Sequence, residues 1–381
     1  MRQVAVIGVG STVFGKFPEK PIKDMGRDAV WAAIDDANIN PKEIQFAYAS
    51  TSFGANVVGE RILTEAGVSG IEVFNVENAC AGGATAFRGT WYAIASGLYD
   101  IGVAVGVESM TTSPIAGKLI PPEPGDLSGE MGNSAPAHFA LSMRRHMDKY
   151  GTTSEQFAKV SVKNHRNGCL NPYSQYKKEL SIEEILNSRM ICDPITLLQC
   201  CPNTDGAAAA ILCPVSLARK YTRKPIIVAA SVLNMGDYEY RWKDLASSDM
   251  TTKCAKEAYE MAGCGPEDIG VCELHDAFAY SEIAHCEELG FCPYGEGGRL
   301  IDEGITEIEG RIPVNPSGGL LSRGHPIAAT GVEQIAEIVW QLRWEAGKRQ
   351  VAGAKVGLAH TMGGEVAGLE SGAVAIHILK R

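Results

Sequence analysis

No apolar run in this chain approaches the roughly 18 to 20 residues that a membrane-spanning helix needs, and no Cys-x-x-Cys pair of the kind that holds structural zinc occurs in its 381 residues. Positive charge is in deficit. Against 45 acidic residues stand 35 Lys and Arg, for a net charge of -10 and a pI near 5.4. That balance excludes a general affinity for nucleic acid or anionic membrane, because counterion release needs clustered positive charge. The single basic run, Arg219, Lys220, Arg223 and Lys224, reads as a solvated loop and receives no role. Also missing is the charged, apolar, small-residue order of a secretory signal, since Met1-Arg2-Gln3 runs straight into Val4-Ala5-Val6-Ile7-Gly8, which reads as a buried strand. Leu379-Lys380-Arg381 is not a peroxisomal address, so a cytoplasmic location is expected. The 11 cysteines are odd in number and scattered. Cys200-Cys201 is their one adjacent pair, so neither a disulfide framework nor a metal site is expected.

What is present is enough apolar material, 45% of the chain, to bury the core of two domain-sized units. A weak internal repeat supports two. Ala29 to Ala47 reads helix, proline, acidic step, strand, and Ala255 to Leu274 repeats that order. Ala37 and Ala262, Pro41 and Pro266, Ile44 and Ile269 share one offset, and Val4 to Val9 finds a counterpart in Ile226 to Ala230. Apolar runs such as Glu72 to Val76 and Ile101 to Val107 alternate with helical stretches, which predicts a layered α/β fold. The segment from Met110 to Ala218, rich in Pro, Gly, Asn and charge, breaks the pattern and reads as an insertion over the active face, with a helix at Pro136 to Tyr150. The expected division is 1–110 plus 211–225 as a first half, 111–210 as the capping insertion, and 226–381 as a second half.

Four motifs carry chemistry. Asn78-Ala79-Cys80-Ala81-Gly82-Gly83 places a cysteine between a strand and a helix of small residues, where helix-terminal N–H groups favour a thiolate and can hold an oxyanion. A small core cysteine would fit the same place, so Cys80 depends on the company it keeps. Glu273-Leu274-His275-Asp276-Ala277-Phe278 puts a histidine just after an apolar strand. Asn315-Pro316-Ser317-Gly318-Gly319 leads to Gly324-His325-Pro326, a histidine before a second small-residue helix that matches the Cys80 helix in the repeat. Gly357-Leu358-Ala359-His360-Thr361-Met362-Gly363-Gly364 ends a strand in histidine and glycines, where backbone can approach a ligand closely.

In this order the four motifs resemble the thiolase superfamily over essentially the whole chain, and specifically its sterol-carrier-protein-X type, in which His-Asp replaces Asn-Glu. The resemblance implies duplicated βαβαβ halves in a five-layered α-β-α-β-α core with an inserted loop domain. It implies that Cys80 accepts the acyl group, that His325 activates Cys80, and that His275 and His325 support the thioester oxygen of the second substrate. The backbone N–H of Cys80 with that of Gly363 or Gly364 would form the oxyanion hole. The chain departs from the pattern at the second catalytic cysteine, which moves the α-proton: His360 stands at one usual position and Ala277 at the other. The proton then falls to His360, to His275 or to an unidentified group.

The implied reaction is thiolysis of a 3-oxoacyl-CoA by CoA, or the reverse Claisen condensation, with coenzyme A as substrate and no bound cofactor or metal. A CoA-thioester retro-aldolase or a decarboxylating condensing enzyme on the same fold is the alternative, and a weakly catalytic acyl-CoA-binding subunit of a larger complex is the alternative of another class. The resemblance also implies a homodimer or tetramer and a small OB-fold, zinc-ribbon partner. Tyr173, Tyr176, Met235 and Tyr238 are candidate pocket residues that fit ordinary packing equally well.

Overall fold

The computed structural model describes residues 1–118, 120, 127–236, 244–366 and 370–381. Nine strands form the main sheet: β1 (Val4–Ser11), β2 (Phe46–Ser50), β3 (Glu72–Val76), β4 (Gly102–Ser109), β5 (Asp205–Pro214), β6 (Ile226–Asn234), β7 (Val271–Glu273), β8 (Val356–Val366) and β9 (Glu370–Lys380). Their spatial order is β3-β2-β4-β5-β1-β6-β9-β8-β7. The strands β1, β4 and β5 are buried along their whole length. That burial explains why they read as continuous apolar runs rather than as alternating ones.

Two half-sheets meet where β1 pairs with β6 through only Ala5↔Ile227 and Val6↔Ile226. Helices α1 (Ile22–Ala37) and α2 (Val58–Glu65) cover the outer face of the first half, where Met25, Ile34 and Ile62 pack with Ile7, Val103 and Ile211. Helices α6 (Asp249–Ala262) and α7 (Ala279–Glu288) cover the outer face of the second, given α4 (Ala135–Tyr150) and α5 (Ser154–Leu170) between. There Met250 and Cys286 pack with Val232, Leu358 and Ile376. Between the halves lie α3 (Gly82–Ala95) and α8 (Thr330–Arg343), whose Phe87, Trp91, Ile335 and Val339 meet Val6 and Leu212 on one side and Val271 and Leu379 on the other. These clusters make five layers, α-β-α-β-α. Small residues let the central helices touch: a Cβ on Gly83 would fall 2.3 Å from the Ala328 carbonyl oxygen, a collision no side chain escapes.

The repeat is physical. Helix α1 ends at Ala37, Asn38 turns left-handed at φ 49°, a 3-10 turn spans Pro41–Glu43 and β2 follows. Helix α6 ends at Ala262, Gly263 takes φ 61°, Pro266–Asp268 makes the same turn and β7 follows. Asn and Gly are the residues that tolerate this cap. Each central helix is likewise entered through a 3-10 turn, Ala79–Ala81 before α3 and Ile327–Ala329 before α8.

The part of the chain read as an insertion holds α4, α5 and a two-stranded hairpin, Met190–Cys192 with Ile195–Thr196. The returning strand β5 begins at Asp205 rather than at 211, because Asp205 already pairs with Ser109 of β4. Its carboxylate also accepts from Phe17 N–H (2.8 Å) and Thr111 N–H (2.9 Å). The basic run is taken up locally: Lys220 Nζ binds Glu43 at 2.6 Å and Lys224 Nζ binds Glu345 at 2.9 Å. Tyr173 stacks on Trp340 with ring centres 5.1 Å apart, beside an open cavity of about 490 Å³ lined by none of the motif residues. Tyr176 stacks on His165, Met235 is 66% exposed, and Tyr238 lies outside the described residues. Among the described residues, no helix is long and apolar enough to cross a membrane.

Candidate active site

Cys80 sits in the turn that carries the chain from β3 into α3. Its predecessor Ala79 is held at φ 47°, a left-handed conformation that costs an L-residue about 1–2 kcal/mol. Neighbours impose it: Ala79 N–H donates to Glu77 Oε1 (2.5 Å), Ala81 N–H to the Asn78 carbonyl (2.9 Å), and Asn78 Nδ2 to Thr85 Oγ1 (2.9 Å). Gly363 of β8 braces the turn from the other half. A Cβ there would lie 2.4 Å from Ala81 N and Asn78 O and 2.8 Å from Cys80 N, so only glycine lets β8 pass. The strand does not stop at His360 as its glycines suggest. It runs on to Val366, paired with β9 by Gly363↔Ala373, because the glycines serve a close approach and not a loop.

His275 follows the end of β7. Its strand is pinned by Asn315 (φ 52°), whose Oδ1 accepts Leu274 N–H at 2.9 Å and whose Nδ2 donates to Glu282 Oε2 at 2.9 Å. Next door, Asp276 accepts Leu320 N–H (2.7 Å) and Asn164 Nδ2 (2.8 Å). His325 is held at both ends: its N–H donates to Thr204 Oγ1 (3.0 Å), and its Nδ1 lies 2.7 Å from Thr330 Oγ1. Thr330 donates its only hydroxyl hydrogen to the Pro326 carbonyl (3.0 Å). It can therefore only accept from His325, which fixes the proton on Nδ1 and leaves the Nε2 lone pair free.

The outcome is a compact group. One donor atom each of Cys80, His275 and His325 lies within 4.8 Å of the other two, and the imidazoles meet edge to face with centres 5.1 Å apart. His325 Nε2 and His275 Nδ1 are buried without a protein partner. These three are also the donor set among the described residues that could close on a soft metal ion, although the same atoms are those a thiol–imidazole reaction needs. His360 is not drawn into the group. It is fully buried, its ring stands 4.5 Å from that of His285, and both its nitrogens lack partners.

Electrostatics correct the expectation of a resting thiolate. Burial, with the nearby charge of Glu108, pushes the Cys80 thiol up to about 12. Burial, with the charge of Arg323, holds His325 down at about 3, and burial, with the neighbouring imidazoles of His325, His360 and His285, holds His275 well below its usual range. The apolar surroundings outweigh the helix terminus. All three shifts favour a neutral thiol beside neutral imidazoles.

Several contributors were not evident in the motifs. Glu108, at the end of β4, accepts Ser52 N–H (2.8 Å), Phe53 N–H (3.1 Å) and Thr51 Oγ1 (3.1 Å), tying a loop beside Cys80. A carboxylate closing the apolar run Ile101 to Val107 was the available signal. Beneath the histidines, Arg323 Nη1 bonds Glu273 Oε2 and Ser317 Oγ at 2.9 Å and pairs with Glu333, while Lys163 Nζ bonds Glu282 at 2.6 Å, all buried.

A duplicated layered α/β body that gathers one cysteine and two histidines beside the entrances of its central helices defines the thiolase-fold class of enzymes. Residues 4–216 match the thiolase N-terminal domain and residues 237–378 the thiolase C-terminal domain-like model. The chain is 43% identical to an acetyl-CoA acetyltransferase of Methanothermobacter thermautotrophicus over the full length of both. It is 38% identical to the benzoylsuccinyl-CoA thiolase subunit BbsB of Thauera aromatica over 95% of each, and 40% identical to bovine sterol carrier protein 2 over 95% of this chain and 70% of that one. Among solved structures, the Ltp2-ChsH2(DUF35) aldolase superposes with TM-score 0.87 at 25% identity over 99% of this chain and 97% of the other. The chain belongs to the thiolase family, and it is an acyl-CoA acyltransferase of the thiolase type.

Proposed function

We propose that this enzyme cleaves a 3-oxoacyl-CoA with CoA, or runs the reverse Claisen condensation, through an acyl group on Cys80. The observation that carries the reading is the meeting of Cys80, His275 and His325 within 4.8 Å. His325 Nε2, its lone pair free, takes the Cys80 proton as the sulfur attacks the 3-oxo carbon. A neutral pair is suited to this, since proton and nucleophile move only once substrate is present. The Cys80 N–H, with that of Gly363 or Gly364, stabilises the oxyanion, and each such donor contributes about 10² to 10³ in turnover. His275 and His325 hold the thioester oxygen of the second substrate. Coenzyme A is the substrate and no resident cofactor is required. The segment from 111 to the start of β5 at Asp205 shapes the acyl pocket between the two halves.

We read the enzyme as a cytoplasmic homodimer or tetramer. The 11 free thiols fit a reducing compartment, and β3 is an edge strand with an open side. A small OB-fold, zinc-ribbon partner belongs to the same reading; the DUF35 component of the structural neighbour supports it. That neighbour is an aldolase, which makes CoA-thioester aldol cleavage the second reading. Intact mass after brief exposure to acetoacetyl-CoA, with and without such a partner, separates the two. An adduct that Cys80→Ala abolishes and CoA discharges is expected, and turnover that survives Cys80→Ala without an adduct would move the assignment to the aldolase.

A further inference from the structure

Cleaving the bond between the α and β carbons leaves an electron pair on the α-carbon, and some group must deliver a proton there. His325 Nε2 is occupied with the Cys80 proton. His360, which the motif order offers for this task, has its ring against that of His285, and neither it nor Cys201 belongs to the close group. The segment Cys200–Asn203 comes to the same place from the capping region. Cys201 N–H donates to the Ala277 carbonyl at 2.9 Å, two residues past His275. Cys200 forms a bridge with Phe278, and Asn203 forms one with His325, so the segment is fastened to both histidine-bearing stretches.

Within this segment the two thiols diverge. Cys200 is extended (φ −112°, ψ 143°) and its Sγ donates to the Thr196 carbonyl at 3.5 Å. Successive side chains of an extended chain point oppositely, which turns Cys201 the other way. Its half-buried side chain, like that of Cys200, packs against the apolar cluster that includes Ala277 and Phe278. It also lies close enough to Cys80 and Asp276 for their charges, after burial itself, to hold its thiol well above the usual range. It therefore carries its proton at neutral pH.

We propose that Cys201 is the acid–base group at the α-carbon, a thiol delivered across the site to where this chain has Ala277 and His360. This rests on the acyl-Cys80 reading. In the cleavage direction, Cys80 gives its proton to His325 and bonds to the 3-oxo carbon. The bond between the α and β carbons breaks, its electron pair goes to the α-carbon, and Cys201 Sγ–H protonates that carbon and is left as thiolate. Incoming CoA then passes its thiol proton to Cys201 and attacks the acyl-Cys80 thioester. Cys80 leaves and recovers its proton from His325, so all charges and protons close.

The test is deuterium uptake into the methyl group of acetyl-CoA in heavy water, read alongside acyl-Cys80 formation by intact mass. With Cys201→Ala, exchange and overall thiolysis should fall about 100-fold or more, while Cys80 still takes its acetyl group directly from acetyl-CoA, a transfer that moves no proton at the α-carbon. Cys200→Ala should exchange as the unsubstituted enzyme does. Cys201→Ser, near-isosteric, gives the same reading if the alanine variant does not fold, because a hydroxyl is a far weaker acid than a thiol. Exchange within about threefold of the unsubstituted enzyme in the folded Cys201 variants overturns the proposal, as does loss of exchange in His360→Gln with Cys201 unchanged. Failure of the unsubstituted enzyme to form any Cys80 adduct would instead overturn the acyl-transfer reading beneath it.

Discussion

At the scale of single residues, the site depends on which atoms carry protons. Thr330 does not touch substrate in the proposed scheme, yet by giving its hydrogen to Pro326 it dictates the tautomer of His325. Thr330→Val keeps shape and removes the acceptor, leaving a buried Nδ1–H unpaired, a loss of about 1–3 kcal/mol. Acylation of Cys80 by acetoacetyl-CoA should slow about 10- to 100-fold in rapid-quench measurements, and Thr330→Ser should recover most of it. A Thr330→Val enzyme that acylates at the original rate would show that the tautomer is set elsewhere. Thr330 could not be singled out in the chain, because a threonine opening a helix is ordinary until its hydrogen's destination is known. Cys80, His275 and His325 were legible because each sits at a change of backbone type flanked by small residues. Cys201 and the left-handed Ala79 were not, since Cys201 is fastened to the site through the carbonyl of Ala277, far off in the chain, and alanine does not advertise a positive φ.

At the scale of elements, the repeated order of helix, proline turn and strand was readable because Asn38 and Gly263, Pro41 and Pro266 mark backbone requirements directly. Strand β3 was readable as a strand but not as an edge. Its run Glu72 to Val76 looks like an interior strand, although it is largely exposed and Phe74, stacked on Tyr48 at 4.7 Å, is 37% accessible. An open edge of this kind is a template for pairing, and three residues beyond it lies Cys80's turn. If β3 pairs with its copy, Phe74→Lys should weaken self-association at least tenfold in sedimentation velocity, and acyl transfer should decline with it. An unsubstituted enzyme that sediments as a monomer at every concentration would remove β3 from the interface.

At the scale of the whole molecule, burial governs the response to acid. His165 is held at about 4, and His325 and His377 at about 3, in each case chiefly because a charged imidazole is disfavoured inside the protein. Their folded values lie below the unfolded value near 6.5. The unfolded chain therefore binds more protons on acidification, and the stability these groups confer, complete above pH 6.5, is lost as pH falls toward 3 to 4. Each of the three histidines should take away on the order of 2 kcal/mol by pH 5, against the opposite slope of Glu273 and Glu333, which burial raises to about 7 and about 8. His377→Gln isolates one share: its urea midpoint should fall less between pH 7 and pH 5 than that of the unsubstituted enzyme, and an identical pH dependence would mean that water reaches that imidazole.

The two turns that open the central helices occupy matching places, Ala79–Ala81 in the first half and Ile327–Ala329 in the second. Where the first holds Cys80, the second holds Ala328, whose carbonyl packs against Gly83 and Gly106. The doubled frame is thus chemically one-handed. In the proposed scheme one copy presents the nucleophile and the other supplies the wall and the two histidines beside it, so that doubling the architecture yields one enclosed reaction per chain rather than two.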